Sequence, residues 1–130
     1  MSIMMVFEFE GYPRVEQLID VLGALGASVD VEDPEFSGSF PESNAFFVYT
    51  QHATLEDIGT DQADPLGWQI GARLVVHCPI STLAESAKEL DEFMAALVGG
   101  MNNRFLLSFQ YESIYAVRDH DLVVYKKMIE

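Results

Sequence analysis

Apolar and polar positions along the first half of the chain follow two different periods, which separate strands from a helix. Residues 3–9 are rich in apolar and aromatic side chains and alternate from Phe7 onward, which predicts a strand. Residues 13–25 carry an apolar stripe at spacings of three and four, which predicts an amphipathic helix that ends at Gly26. The stripe consists of Val15, Leu18, Ile19, Leu22 and Leu25. Two further strands are predicted over residues 28–32 and 44–51, with a loop between them.

The second half of the chain shows a similar succession with longer elements. An acidic connector is predicted over residues 52–67, followed by a long strand over residues 68–80. Thr82 and Glu85 have the spacing of a capping box, and the helix that they begin should end at Gly99-Gly100. Its buried stripe should be Leu83, Ala87, Leu90, Met94 and Leu97, and its solvated face Glu85, Lys88, Glu89 and Glu92. The last elements should be a strand over residues 104–117, a tight turn over 118–121 and a strand from residue 122.

These elements predict one domain, residues 1–130, of the α+β class. Their order is β-α-β-β followed by β-α-β-β. We expect a two-layer sandwich, in which a mostly antiparallel sheet of about five to six strands carries two helices on one face.

Charge is distributed unevenly along the chain. The formal net charge is −14, from 21 acidic residues against 7 Lys and Arg. Residues 1–72 contain 13 acids and a single base, Arg14, and no Lys or Arg occurs between that residue and Arg73. Such a field repels nucleic acid and anionic lipid and attracts cationic partners. The pattern therefore predicts a basic protein partner, while a purely solvated acidic surface is the alternative explanation.

No catalytic or metal-binding motif is found in the sequence. His77 and Cys78 are neighbours on a predicted strand, so their side chains should point to opposite faces of the sheet. The segment FSGSF lacks the G-x-S-x-G pattern of a nucleophile elbow, and DIGTDQAD lacks the ligand spacing of an EF-hand loop. We therefore expect no catalytic residue, no cofactor and no metal. The single cysteine and the strand-like N-terminus, which has no basic segment before its apolar run, favour the cytoplasm and no membrane association.

Two phenylalanines, Phe36 and Phe40, fall in the predicted acidic loop EDPEFSGSFPES, where no periodic element accounts for them. Exposed rings among carboxylates would anchor a partner that the surrounding charges attract. The alternative is an Ω-loop that folds back and buries a ring beneath itself. The predicted partner-binding residues are Glu32, Asp33, Glu35, Phe36, Phe40, Glu42, Glu56, Asp57, Asp61 and Asp64.

The whole chain, a small acidic α+β protein that ends in RFLLSFQYESIYAVRDHDLVVY, resembles the immunity proteins of bacterial contact-dependent and other polymorphic toxin systems. The resemblance implies that the protein binds and neutralises a cognate toxin domain. Because many such toxins are nucleases with basic active-site surfaces, an acidic protein could block one without catalysis of its own. A homodimer is compatible with this role.

Two other classes of function stay open at this point. A DNA-mimicking inhibitor would present carboxylates over an extended face, whereas most acids here fall in predicted loops. A small enzyme or ligand-binding domain would hold its site in a pocket between sheet and helices, lined by convergent polar groups.

Overall fold

A computed structural model describes residues 1–61 and 66–128, and in these residues the chain forms eight strands and two helices. The elements are β1 (Ser2–Glu10), α1 (Val15–Ala24), β2 (Ser28–Glu32), β3 (Glu35–Ser39), β4 (Phe46–Asp57), β5 (Gln69–Pro79), α2 (Leu83–Gly100), β6 (Phe105–Phe109), β7 (Ser113–Arg118) and β8 (Leu122–Val124). A 3₁₀ turn over Ile80–Thr82 joins β5 to α2.

The eight described strands form one sheet in the order β2-β3-β4-β5-β1-β6-β7-β8, and every neighbouring pair is antiparallel. Both helices pack on the same face of this sheet, because Leu22 of α1 and Phe93 of α2 belong to one core cluster with Phe7 of β1. The predicted α+β class is therefore confirmed. The sheet has eight strands rather than the predicted five to six, two more than the six strands that the sequence pattern indicates.

One additional strand arises because the predicted strand over residues 104–117 is a hairpin of β6 and β7. Gln110 and Tyr111 have φ values of 51° and 64°, and the Glu112 N–H donates to the Phe109 carbonyl at 2.8 Å. Positive φ at both central residues is the geometry of a type I′ turn, which suits antiparallel strands. Tyr111 consequently does not continue the apolar face of β6, as it would in one uninterrupted strand over residues 104–117.

The other additional strand, β3, lies in the segment predicted to be an acidic loop. Residues 35–39 pair with β2 on one side and β4 on the other, and a turn at Asp33 and Pro34 joins β2 to β3. Gly38 makes this pairing possible, because a Cβ atom there would overlap the Ser28 carbonyl oxygen and the Phe47 ring. Glycine, proline and serine, which are typical of loops, therefore occur here both in a turn and in a closely packed strand.

Phe36 and Phe40 are buried in the core, so the prediction that they are exposed loop anchors is wrong. Strand alternation turns Phe36 toward the helices, where its ring stacks on Tyr49 at 4.7 Å with an interplanar angle of 7°. The Phe40 ring packs edge-on against Phe47 at 5.2 Å and lies 6.4 Å from Phe93. These contacts hold β3 against β4 and α2. Neither ring can contact a partner without unfolding of this edge.

The ends of the helices follow the sequence signals only in part. Gly26 has φ +85° and closes α1 with hydrogen bonds from its own N–H to Gly23 and from the Ala27 N–H to Leu22, the Schellman arrangement. The capping box predicted at Thr82 does not form. The Thr82 hydroxyl donates instead to the Ser43 carbonyl at 2.7 Å, so no side chain caps the N-terminus of α2.

The α2 face that was predicted to be solvated is partly buried. Glu89 is only 5% exposed, and its carboxylate accepts the backbone N–H groups of Glu42 at 2.9 Å and Ser43 at 3.2 Å. A buried carboxylate is tolerated when hydrogen bonds satisfy it, so Glu89 fastens the turn after β3 to α2.

Candidate partner-binding face

The sheet surface opposite the helices is divided into a covered and an uncovered part. Residues 58–61 cross the part next to β1 and β6. There Ile58 packs with Leu66 and Ile114 around a second apolar cluster. That cluster consists of Trp68, Ile70, Leu106 and Val117.

A buried ion pair fastens residues 58–61 to the sheet. Glu8 of β1 is 0% exposed, and its carboxylate accepts the N–H of Gly59 at 2.8 Å and of Thr60 at 3.0 Å. It also accepts the Thr60 hydroxyl and the Nε of Arg73 at 2.9 Å. Hydrogen bonds from four donors compensate the cost of burying this charge. The sequence gives no local sign of the arrangement, because the donors come from two distant segments.

Arg73 extends the network toward the end of β4. It donates to the Glu56 carboxylate at 3.0 Å and to the Asp57 carbonyl at 3.2 Å, and lies 2.9 Å from His52 Nε2. Its guanidinium carbon lies 6.0 Å from the centre of the Tyr111 ring. Burial lowers the pKa of Arg73, but the hydrogen bonds to Glu56 and Glu8 more than offset this effect and leave it above the ordinary value. Each nitrogen of the Arg73 guanidinium therefore makes a hydrogen bond within the protein.

The acidic residues predicted at the end of β4 are partly engaged by this network. Glu56 pairs with Arg73, and the Asp57 carboxylate accepts the Gln69 side-chain amide at 2.8 Å. Asp61 is exposed and bonds through its backbone N–H to Tyr111. Asp64 lies outside the described residues. The acidic connector was predicted to begin at residue 52, but β4 continues to Asp57.

The acidic residues predicted around β2 and β3 separate into two groups. Glu32, Asp33 and Glu35 lie together at the β2–β3 hairpin and are exposed. Glu42 follows β3 at its opposite end, where its carboxylate lies 3.8 Å from Lys88 of α2. Glu42 therefore does not share a surface with the hairpin acids.

A groove of about 140 Å³ lies beside the hairpin acids. Its lining combines carboxylates with small and apolar side chains, namely Asp30, Glu32, Glu35, Phe36, Ser37, Val48 and Tyr49. Burial, together with the nearby Glu35 charge, raises the pKa of Tyr49 to about 12. In the described parts of the chain, none of the carboxylates of Asp30, Glu32, Asp33 and Glu35 takes part in a salt bridge.

An exposed aromatic side chain, Phe46, lies on the same uncovered part of the sheet. It is 47% exposed, and its ring stacks on His77 of β5 with centroids 6.5 Å apart. Phe46 and Val48 point away from the helices because their neighbours Phe47 and Tyr49 are buried beneath them. The sequence contained a signal for this arrangement. Two successive phenylalanines in one strand cannot both face the same core.

We call this surface the acidic-aromatic face, formed by seven residues whose side chains are exposed or half-buried. They are Asp30, Glu32, Glu35, Ser37, Phe46, Val48 and His77. Its aromatic pair, Phe46 and His77, lies at one end, and the hairpin carboxylates lie at the other end, where Glu32 pairs with Glu35. The face belongs to β2, β3, β4 and the adjoining end of β5.

Nucleophilic chemistry at His77 and Cys78 is disfavoured by their positions. His77 is exposed on the acidic-aromatic face, whereas Cys78 is fully buried among the residues that face the helices. Burial, with a contribution from Glu89, raises the pKa of Cys78 to about 11, so its thiol is protonated near neutral pH. Across residues 1–61 and 66–128, no three His, Cys, Asp or Glu side chains are grouped closely enough to hold a metal ion.

Comparisons with known proteins add no relationship: no protein-family model, curated protein or solved structure matches the chain. Neither helix in the described ranges combines the length and the apolar character that crossing a membrane would require.

Proposed function

We propose that this protein is an immunity protein, which neutralises a basic toxin domain by binding it through the acidic-aromatic face. The observation that carries the proposal is the exposed Phe46–His77 pair on the same sheet surface as the hairpin carboxylates. In protein interfaces a central aromatic ring provides much of the affinity, while surrounding charges steer the partner. Covering the active-site surface of an enzyme is sufficient to block it.

The preference for a basic partner comes from the absence of compensating charge. All of β2, β3 and β4 lie in the segment between Arg14 and Arg73, which contains no Lys or Arg. The hairpin acids therefore keep their negative field, and complementary charge on the partner would raise the rate of association. The same field opposes direct binding of nucleic acid.

The partner can be captured from the cells that naturally make this protein, and its kinetics can then be measured with purified components. Phe46→Ala should mainly increase the dissociation rate, by roughly thirtyfold if the ring contributes about 2 kcal/mol. Replacing Asp30 and Glu32 by lysine should mainly lower the association rate. For the unaltered protein that rate should fall as salt rises, because the Debye length is about 8 Å at physiological ionic strength.

The matched control replaces Asp20 and Asp91, two exposed acids on the helical layer, by lysine. It changes net charge by the same amount as the Asp30 and Glu32 pair and should leave dissociation unchanged. An association rate insensitive to salt, or equal effects of the two charge-reversed pairs, would count against a role for the acidic-aromatic face.

A growth assay tests the immunity role separately from binding. Expression of the captured partner alone should arrest growth, and co-expression of this protein should restore it. The Phe46→Ala variant should restore growth less well at equal abundance. A captured partner that binds tightly but is harmless would overturn the immunity role and leave the binding face standing.

A further inference from the structure

β2 is the edge strand of the sheet beside the acidic-aromatic face. In the described part of the chain it pairs with β3 on one side and with no strand on the other. The pairing with β3 runs over Ser28–Glu32 without a register shift. An edge strand presents backbone N–H and C=O groups that another extended chain can bond.

β2 lacks several of the features by which proteins protect a sheet edge. It contains no lysine, no proline and no bulge, all of which discourage pairing with a further strand. The opposite edge, β8, has only three residues, and Lys126 and Lys127 follow it after Tyr125. The two edges of the sheet are therefore not equivalent, and β2 is the more accessible to a cationic strand.

The side chains of β2 present a different chemistry on each side of the sheet. Val29 packs against the main core, and Val31 is 52% exposed on the same side. Asp30 and Glu32 point to the other side and line the groove of the acidic-aromatic face. Apolar and acidic positions thus alternate along the edge.

We propose that the basic partner binds by adding a strand to β2, and that this strand alternates apolar residues with Lys or Arg. This inference rests on the proposed function and specifies the chemistry of the partner at the same face. Alternate residues of a strand lie roughly 6.5 Å apart, so two cations two positions apart match Asp30 and Glu32. Cross-strand neighbours approach to about 5 Å between Cβ atoms, which brings such cations within reach of the carboxylates. Apolar residues between them would cover Val31.

The probe is a synthetic peptide of alternating valine and lysine, added to the full-length protein. The control is a peptide of the same sequence with its central backbone amides N-methylated, which keeps the side chains and charge but cannot donate ladder hydrogen bonds. We expect the unmethylated peptide to bind at least tenfold more tightly. It should also slow hydrogen exchange at the β2 amides that face away from β3, as measured by NMR.

Two variants separate backbone pairing from charge. Replacing Asp30 by asparagine and Glu32 by glutamine should weaken binding of the alternating peptide at low salt. At saturating peptide the β2 amides should still be protected from hydrogen exchange. Val31→Lys places a cation among the valines of the peptide and should weaken binding at least as much. The Asp20 and Asp91 pair again serves as control.

Three outcomes would overturn edge pairing. Equal binding of both peptides without protection of β2 would show attraction by charge alone, and binding of neither peptide below about 1 mM would show that the edge is closed. Protection of β2 that depends on protein concentration without peptide, with a dimer in sedimentation equilibrium, would identify a second copy of the chain as the occupant. None of these results decides the proposed function, which depends on the response of the captured partner to Phe46→Ala.

Discussion

Replacement of Glu8 by glutamine tests the network that fastens residues 58–61 to the sheet. The carboxylate is fully buried, and the Arg73 side chain that it pairs with is 13% exposed. Removing one member of a buried ion pair costs about 3–5 kcal/mol because the other charge is left uncompensated. We expect the lower end, about 3 kcal/mol, since Arg73 keeps Glu56 at 3.0 Å. The glutamine amide also turns a donor toward groups that are themselves donors.

Urea unfolding measures this loss, and two signals locate it. Trp68 is the chain's one tryptophan and lies in the second apolar cluster with Ile58, so its fluorescence reports on residues 58–61. Far-UV circular dichroism reports on the sheet as a whole. If the Glu8 network holds residues 58–61 alone, the fluorescence transition of the variant should precede the sheet transition.

The matched control is Glu10→Gln on the same strand. Glu10 pairs with Arg104 at 3.4 Å, and both side chains are more than one-third exposed, so the change should cost less than about 1 kcal/mol. A loss at Glu8 as small as that at Glu10 would refute the argument. Replacing Glu8 and Arg73 together by leucine and methionine should recover part of the loss but not all, because the Gly59 and Thr60 N–H groups lose their acceptor.

Three further predictions concern the core. Leu22→Ala and Leu90→Ala should each lower the free energy of unfolding, measured in urea, by roughly 2–5 kcal/mol, and Phe36→Ala should lower it by roughly 3–5 kcal/mol. Each variant that folds should dissociate from the partner at an unchanged rate. A negligible loss of stability at Leu22 or Leu90 would contradict the packing of that helix on the sheet. Cys78→Ala should leave partner binding intact, and a thiol reagent should label Cys78 only at the rate of unfolding; rapid labelling of the native protein would contradict its burial. Stability should fall at alkaline pH, because Cys78 and Tyr49 bind their protons more tightly in the folded protein than in the unfolded chain. The loss from Cys78 should begin near pH 9, where the unfolded thiol ionises, and end near pH 11. The loss from Tyr49 should begin near pH 10 and end near pH 12. Each group contributes roughly 2–3 kcal/mol, and a variant with Cys78→Ala and Tyr49→Phe that loses stability just as steeply would refute the assignment.

The sequence predicted those elements whose side-chain period is strong and local. The strand at Phe7, the α1 stripe around Leu18 and Leu22, and the end of α1 at Gly26 each depend on residues close together in the chain. β3 was missed because its composition is that of a loop. Its strand character depends on two neighbours, β2 and β4, that hydrogen-bond to it from either side.

The candidate site was predictable only in its charge. The acids of the β2–β3 hairpin were identified, but the exposed aromatic residue on the same sheet surface is Phe46 rather than Phe36 or Phe40. Applying strand alternation to the pair Phe46–Phe47 would have exposed one of the two rings. The burial of Glu8 could not have been predicted in this way, since it depends on residues 58–61 crossing the sheet some fifty positions later.

The position of β1 in the middle of the sheet has a consequence for biosynthesis. Phe7 is paired with Leu74 on one side and Leu107 on the other, so β1 is synthesised before both of its partner strands. At about 5–20 residues per second, the ribosome needs roughly 5–20 s to add the 100 residues that separate β1 from the end of β6. Until β5 and then β6 are synthesised, β1 lacks strands to pair with, and folding that depends on such distant contacts is slow. If the protein has the immunity function proposed above, the cell would therefore need a folded stock of it before a toxin arrived, since newly synthesised protein would fold too late.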